Sequence, residues 1–156
     1  MRLEFLFLGK TRESYLAAGI EDFRQRLQHY APVEIKTLKE KRWPKNYAAE
    51  KIMAEQGEVL RANIPKSSLL VALAQTGRQF ASEEMAGLLG QWADQGRKGV
   101  VFAIGGHLGL APALLKAADL VLSLSKMTLT HEMTRLLLLE QIYRAYTILA
   151  GEQYHK

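Results

Sequence analysis

The sequence predicts an α/β protein with a mostly parallel sheet and helices on both of its faces. Apolar, strand-like segments alternate with amphipathic, helix-like segments along the chain. The later strand-like segments, such as "SLLVALA" and "VVFAI", are apolar almost throughout, which is typical of strands that are buried on both faces. The 156 residues are expected to form one domain covering 1–156.

The spacing of apolar residues predicts each element in turn. In the first helix these residues recur every three or four positions, and they are Leu16, Ile20, Phe23, Leu27 and Tyr30. Ser82 is expected to cap the third helix. The predicted strands cover residues 2–9, 32–38, 68–74, 100–104 and 120–124. The predicted helices cover residues 13–30 and 47–63, run from 82 to the glycines at 96 and 99, begin near 112, and cover 131–150.

Composition excludes several classes of protein. The chain has no cysteine and only four histidines, which excludes a disulfide framework, argues against a metal site, and suits a reducing cytoplasm. A membrane span and a signal peptide are not expected, because no apolar segment is long enough for the first and the apolar start is followed at once by charged residues. The formal net charge of +5 is compatible with a polyanionic partner.

Three loops are expected to form a ligand site, because ligands of open parallel sheets bind beyond the carboxyl ends of the strands. These loops contain "ALAQTG", "IGGHLG" and "LSKMTLT". The adjacent glycines Gly105 and Gly106 would let the backbone approach a ligand closely. No stretch matches the dinucleotide fingerprint, the P-loop or the H-E-x-x-H zinc motif. A cofactor held by backbone groups and small side chains is therefore predicted.

The last helix contains "LLLL" at 136–139, which places apolar side chains around its whole circumference. A helix of this kind is either deep in a large core or covered by a partner, and in a chain of this size a symmetric homodimer is favoured. The same helix carries Arg135, Glu140 and Arg144. These side chains either form an ion-pair face or place the arginines near a phosphate.

The stretches "IGGHLGL" and "SLSKMTLTHEMTRLLLLEQIYRAYTILAGEQYHK" together resemble the large-subunit rRNA pseudouridine N3-methyltransferases of the SPOUT superfamily. That family ends in patterns close to S-x-x-T-L-P-H-x-x-x-R, E-Q-x-Y-R-A and G-x-P-Y-H-K. The resemblance covers essentially the whole chain and is strongest from Gly105 onward. Similar sequences have proline at the positions of His107, Thr130 and Gln153. The Thr130 hydroxyl could instead cap the last helix.

The resemblance implies methyl transfer from S-adenosylmethionine to N3 of a pseudouridine in 23S rRNA, by a homodimer with a C-terminal trefoil knot. The implied partner is the rRNA, within the ribosome, and neither DNA nor a membrane. The implied cofactor contacts, with no metal, are Leu73, Gly106, Ser125, Lys126, Met127, Thr128, Leu129 and Thr130. The implied catalytic residues are Tyr154, His155 and Arg144, with Arg144 or Arg135 holding a phosphate. His131 is interpreted as a helix-start residue that helps to order the loop. His107 is interpreted as an exposed loop residue.

A second RNA-binding candidate is "KTLKEKRWPKNY", in which five cations surround Trp43. The indole could stack on an unpaired base, or the stretch could be a solvated loop, and the sequence favours neither. Two other functions also stay open. One is a SPOUT enzyme acting on tRNA or another rRNA site, and the other is a ribosome-binding protein of the same fold without catalysis.

Overall fold

The computed structural model describes residues 1–155, with His155 described by its backbone alone. Five strands alternate with five α-helices, and a short 3-10 helix follows over Gln153–His155. The strands are β1 (Arg2–Leu8), β2 (Val33–Leu38), β3 (Ser68–Arg78), β4 (Gly99–Ile104) and β5 (Leu120–Leu122). The helices are α1 (Ser14–Leu27), α2 (Ala49–Ala62), α3 (Ser82–Asp94), α4 (Pro112–Ala117) and α5 (His131–Leu149).

The sheet is entirely parallel, with the strand order β2-β1-β4-β3-β5. The predicted parallel sheet is therefore confirmed, and the carboxyl ends of all five strands lie along one edge. β3 extends beyond its predicted end, because after an irregularity Arg78 pairs again with Leu122 of β5.

Helices cover both faces of the sheet, as predicted. On one face, α1, α3 and α5 pack on a core in which Phe5 and Phe102 stack with ring centroids 5.1 Å apart. On the other face, α2 and α4 pack through Leu60 and Leu114 on a smaller core that includes Leu6. Side chains of a strand alternate between faces, which is why neighbours in β1 enter different cores. None of the helices in residues 1–155 is long and apolar enough to cross a membrane.

The start of α3 differs from the prediction. Ala81 is the capping residue, and its N–H donates to the Glu84 carboxylate at 2.7 Å. The Ser82 hydroxyl instead donates to Oε1 of Gln141 on α5, at 3.0 Å. The expected serine cap is therefore wrong, because an acceptor on a distant helix engages the hydroxyl.

The rest of the chain covers part of the apolar circumference of helix α5. Leu138 and Leu139 are fully buried within the chain, and Leu136 packs against the main core. Leu137 and Met133 stay partly exposed. The fold thus covers half of the "LLLL" run completely, and the surface left for a partner is narrower than the sequence indicates.

Candidate functional site

The three loops selected from the sequence line one cavity of about 530 Å³ at the carboxyl edge of the sheet. This volume lies within the range of about 300–1,000 Å³ that is usual for small-molecule sites. The implied cofactor contacts that line the cavity are Leu73, Gly106, Ser125, Met127, Thr128, Leu129 and Thr130. Lys126 does not line it, and its place in the loop is fixed through its backbone carbonyl.

The glycine loop after β4 folds tightly back on itself. The Gly109 N–H donates to the Gly106 carbonyl at 3.0 Å, and Gly109 has a φ of +82°. A Cβ atom on Gly105 would lie 2.4 Å from the Gly109 carbonyl oxygen. A Cβ atom on Gly106 would lie 3.2 Å from Oε1 of Glu40. The absence of side chains therefore lets this loop form one compact wall of the cavity.

Hydrogen bonds hold the loop after β5 in shape. The Ser125 hydroxyl accepts from the Met127 N–H at 2.9 Å. The Gln75 amide reaches across from the end of β3 and donates to the Lys126 carbonyl and the Thr128 hydroxyl, each at 3.2 Å. Gln75 was not singled out from the sequence, although it lies in one of the three selected loops. It ties two walls of the cavity together.

The start of α5 forms another part of the cavity wall. The Thr130 hydroxyl accepts from the Met133 N–H at 3.2 Å, which confirms that this residue caps the helix. His131 is the first helical residue and lines the cavity, as its interpretation as a helix-start residue predicts. Burial, and then the charge of Arg135, lower the pKa of His131. The neutral form of the imidazole is therefore favoured beside the cavity.

Arg135 does not hold a phosphate on the surface. It is fully buried, and its guanidinium donates to the Leu8 carbonyl at 2.6 Å and to the Thr11 hydroxyl at 3.0 Å. On the same helix, the buried Glu132 carboxylate accepts from the N–H groups of residues 12–13 at 2.9 and 3.2 Å. The sequence interpretation of Arg135 is wrong, because this side chain anchors the loop between β1 and α1 to α5.

The implied catalytic residues Tyr154 and Arg144 lie together at the other end of α5. The Arg144 guanidinium lies 4.9 Å from the Tyr154 ring centroid and donates to Glu140, with Nε 3.1 Å from Oε1. The Tyr154 hydroxyl is 3.4 Å from the same oxygen, and its ring meets the Tyr143 ring edge-on. Burial, with the charge of Glu140, raises the pKa of Tyr154. The phenol is therefore held protonated, whereas the side chain of His155 lies outside the described part of the structure.

Within one chain these two groups of residues are separated. Thr134 lines the cavity, and Tyr143 contacts the tail. Nine helical residues span about 13 Å at 1.5 Å per residue. A tail that packs on Tyr143 therefore lies about that far along the helix from the cavity of its own chain.

His107, predicted to be an exposed loop residue, has a side chain that is 68% exposed, and its Nδ1 lies 4.0 Å from Oε1 of Glu40. Among the side chains of residues 1–154, which the structure describes, histidine, aspartate and glutamate form no group of three or more that could hold a metal ion.

An all-parallel α/β fold with three strand-end loops around one cavity is typical of proteins that bind a small organic ligand at the carboxyl edge of the sheet. A family model described as a predicted SPOUT methyltransferase matches residues 1–155. The chain is 49% identical over 156 residues to the ribosomal RNA large subunit methyltransferase H of Desulfotalea psychrophila, covering all of both chains. It is 44% identical over 155 residues to the protein of the same name from Geobacter metallireducens, covering 99% of each.

The chain therefore belongs to the SPOUT methyltransferase family, and it is an S-adenosylmethionine-dependent methyltransferase. The cavity fits this cofactor in size, and two of its three walls carry glycines or short hydroxyl side chains. The trefoil knot stays a prediction.

Proposed function

We propose that this protein transfers a methyl group from S-adenosylmethionine to N3 of a pseudouridine in 23S rRNA, acting on the large ribosomal subunit in the cytoplasm. The observation that carries the proposal is the convergence of three strand-end loops on one cavity. It is supported by relatives that match the chain end to end and are named ribosomal RNA large subunit methyltransferase H.

The cofactor would be held by the three loops through Leu73, Gly106 and residues 125–130. When bound, it supplies a methyl group on a positively charged sulfur. The chain's own contribution is to position the two reacting partners. Because the leaving group is already good, bringing the reactants into the right orientation accounts for the larger part of the barrier. The hydrogen bonds from Gln75 and within the Ser125 turn serve this purpose by fixing the walls before the ligand arrives.

The target nitrogen must lose a proton before or while it attacks, and negative charge develops on the neighbouring oxygens. Tyr154 is suited to donate a hydrogen bond to such an oxygen, because its raised pKa keeps the phenol protonated. It is correspondingly unsuited to accept the proton. We assign that role to His155, with Arg144 holding the phenol in place through Glu140.

The proposed enzyme is a homodimer in which each active site is shared. If two α5 helices pack antiparallel across a twofold axis, the carboxyl half of one lies beside the amino half of the other. The tail of one chain would then lie at the cavity of the partner, which closes the gap of about 13 Å that separates them within a chain. The partly exposed Met133 and Leu137 lie on the outer side of α5, where such a contact would form.

Mass spectrometry of rRNA tests the proposal. Large-subunit rRNA from cells lacking this gene should have lost one methyl group on a pseudouridine. Purified protein with S-adenosylmethionine should restore it on isolated large subunits. An unchanged methylation map, or a methyl group lost from tRNA instead, would contradict the proposal.

A further inference from the structure

A second cleft, of about 750 Å³, opens beside the cofactor cavity. One wall is the loop after β1, at residues 9–12, and the other is the end of β2 with the loop that follows it, at residues 37–47. His107 lines both this cleft and the cofactor cavity. A polymer lying in the cleft would therefore pass directly beside the place where the methyl group is transferred.

This basic cleft is defined by the six cations that line it, which are Lys10, Arg12, Lys39, Lys41, Arg42 and Lys45. One carboxylate, Glu40, also lines it. Among the ion pairs formed by the described side chains of residues 1–154, Lys41 alone of the six takes part, with Glu55 at 3.4 Å. Five exposed cations on a concave surface are thus left without a carboxylate partner in the described chain, which produces a positive potential that attracts a polyanion.

Trp43 stabilises the loop rather than offering an open platform for a base. Its ring packs on Tyr47, with centroids 4.8 Å apart, and the Lys41 ammonium lies 4.5 Å from the ring centroid. The Tyr47 hydroxyl in turn donates to Glu55 at 3.3 Å. This cluster fixes the loop in a shape that leaves Lys39, Arg42 and Lys45 exposed. Of the two interpretations that the sequence left open, stacking on a base or a solvated loop, neither describes Trp43, whose ring supports the loop.

Lys36, the remaining cation of the sequence motif, does not belong to the cleft. Its ammonium lies 3.0 Å from the carboxylate of the buried Glu4 and 3.6 Å from that of Glu34. The cations of the motif therefore divide into two that are paired with carboxylates and three that are free to bind an anion.

We infer that the basic cleft binds the phosphate backbone of the RNA strand flanking the target nucleotide, with Lys39, Arg42 and Lys45 as phosphate contacts. This inference rests on the proposed function, because rRNA as the substrate is what identifies the polyanion. Phosphate contacts position a strand without reading its sequence. The cleft would thus deliver the target base to the neighbouring cavity past His107.

The test replaces Lys39, Arg42 and Lys45 together by glutamine and measures binding of a 23S rRNA transcript over a range of salt concentrations. For a single strand, each phosphate contact contributes about 0.7 to the slope of log K against log salt. Loss of three contacts should make this negative slope shallower by about 2 and weaken binding about 50-fold at about 0.15 M salt. The matched control replaces Arg97 and Lys98, two exposed cations just before β4, and should leave the slope unchanged.

Methyl transfer to large ribosomal subunits provides the second readout. The triple variant should raise KM for the subunit, while kcat at saturating subunit and the affinity for S-adenosylmethionine stay at the wild-type values. An unchanged salt slope in the triple variant, or an equal loss in the Arg97/Lys98 control, would overturn the inference. Failure of the proposed function would look different: wild-type protein would bind the RNA with the expected slope but methylate no pseudouridine in it.

Discussion

Gly105 leaves no room for a side chain of any size. A Cβ atom added at this position would lie 2.4 Å from the Gly109 carbonyl oxygen and 2.6 Å from its carbonyl carbon. Backbone atoms cannot rotate away as a side chain can. We expect Gly105→Ala to open the glycine loop and weaken binding of S-adenosylmethionine at least about tenfold, which corresponds to about 1.4 kcal/mol. Titration calorimetry measures this affinity directly.

Gly87→Ala provides the matched control for Gly105→Ala. Gly87 lies in α3, and a Cβ atom there would have no other atom within 4 Å. The affinity of the Gly87→Ala protein for S-adenosylmethionine should equal that of the wild type. Equal affinity in the Gly105→Ala protein would remove the glycine loop from the binding site.

His131 should make stability depend on pH. Burial and the charge of Arg135 hold its pKa in the folded chain below the usual value of about 6.5. As the pH falls below about 6.5, the unfolded chain therefore takes up the proton first, and the free energy of unfolding decreases. The contribution of His131 to the free energy of unfolding is fully present above that pH. Below it, the free energy of unfolding can fall by at most about 1.4 kcal/mol per pH unit, because one proton is taken up.

Urea unfolding at several pH values tests this expectation. His131→Gln should flatten the fall in stability below about pH 6.5, whereas His29→Gln, at an exposed position just after α1, serves as the control. A fall that is just as steep in the His131→Gln protein would assign the effect to other groups.

At the scale of one element, α5 connects the two parts of the proposed site. Its first turns line the cofactor cavity, its buried Arg135 and Glu132 anchor the loop after β1, and its last turns carry the tail. Because the helix is rigid, these parts keep a fixed spacing. A short tail on its carboxyl end reaches at most about 3.5 Å per residue, so it can serve only a nearby cavity.

Deleting residues 151–156 should leave folding and cofactor binding largely intact while methyl transfer is lost. The decisive experiment mixes this deletion with Gly106→Val, each inactive alone. If the tail acts across the dimer, the mixed dimer contains one complete site and recovers part of the activity. Activity that stays absent after proven subunit exchange would mean that each tail serves its own chain.

At the scale of the whole molecule, substitutions at two neighbouring leucines of α5 test dimer formation and folding separately. Leu137 is partly exposed in the single chain, whereas Leu138 is fully buried in its core. We expect the wild type to sediment as a dimer at micromolar concentration. Leu137→Glu should give a folded monomer, because it places a charge in the proposed interface. Leu138→Glu should instead unfold the chain, since burying an unpaired charge costs more than about 4 kcal/mol.

Sedimentation and circular dichroism measured together distinguish these outcomes. A folded dimer in the Leu137→Glu protein would place the interface elsewhere. A wild-type protein that sediments as a folded monomer would contradict the proposed dimer and therefore the shared active site.

The amino-acid sequence was enough to predict the fold class and to group the three loops that line one cavity. Alternating apolar segments specify a parallel sheet with covered faces, and parallel strands all direct their following loops to one edge. That is why loops far apart in the chain lie together around one cavity. Seven of the eight cofactor contacts that the family resemblance implies line this cavity.

The roles of individual polar side chains depend on contacts that form only in the folded chain. Arg135 is buried because its partners Leu8 and Thr11 come from the opposite end of the chain, and Trp43 is engaged because the loop closes on Tyr47. The free energy of a charged or aromatic side chain depends on neighbours that pattern and spacing do not reveal. Hydrophobic periodicity is a property of the local chain, whereas the partners of a polar group are a property of the folded whole.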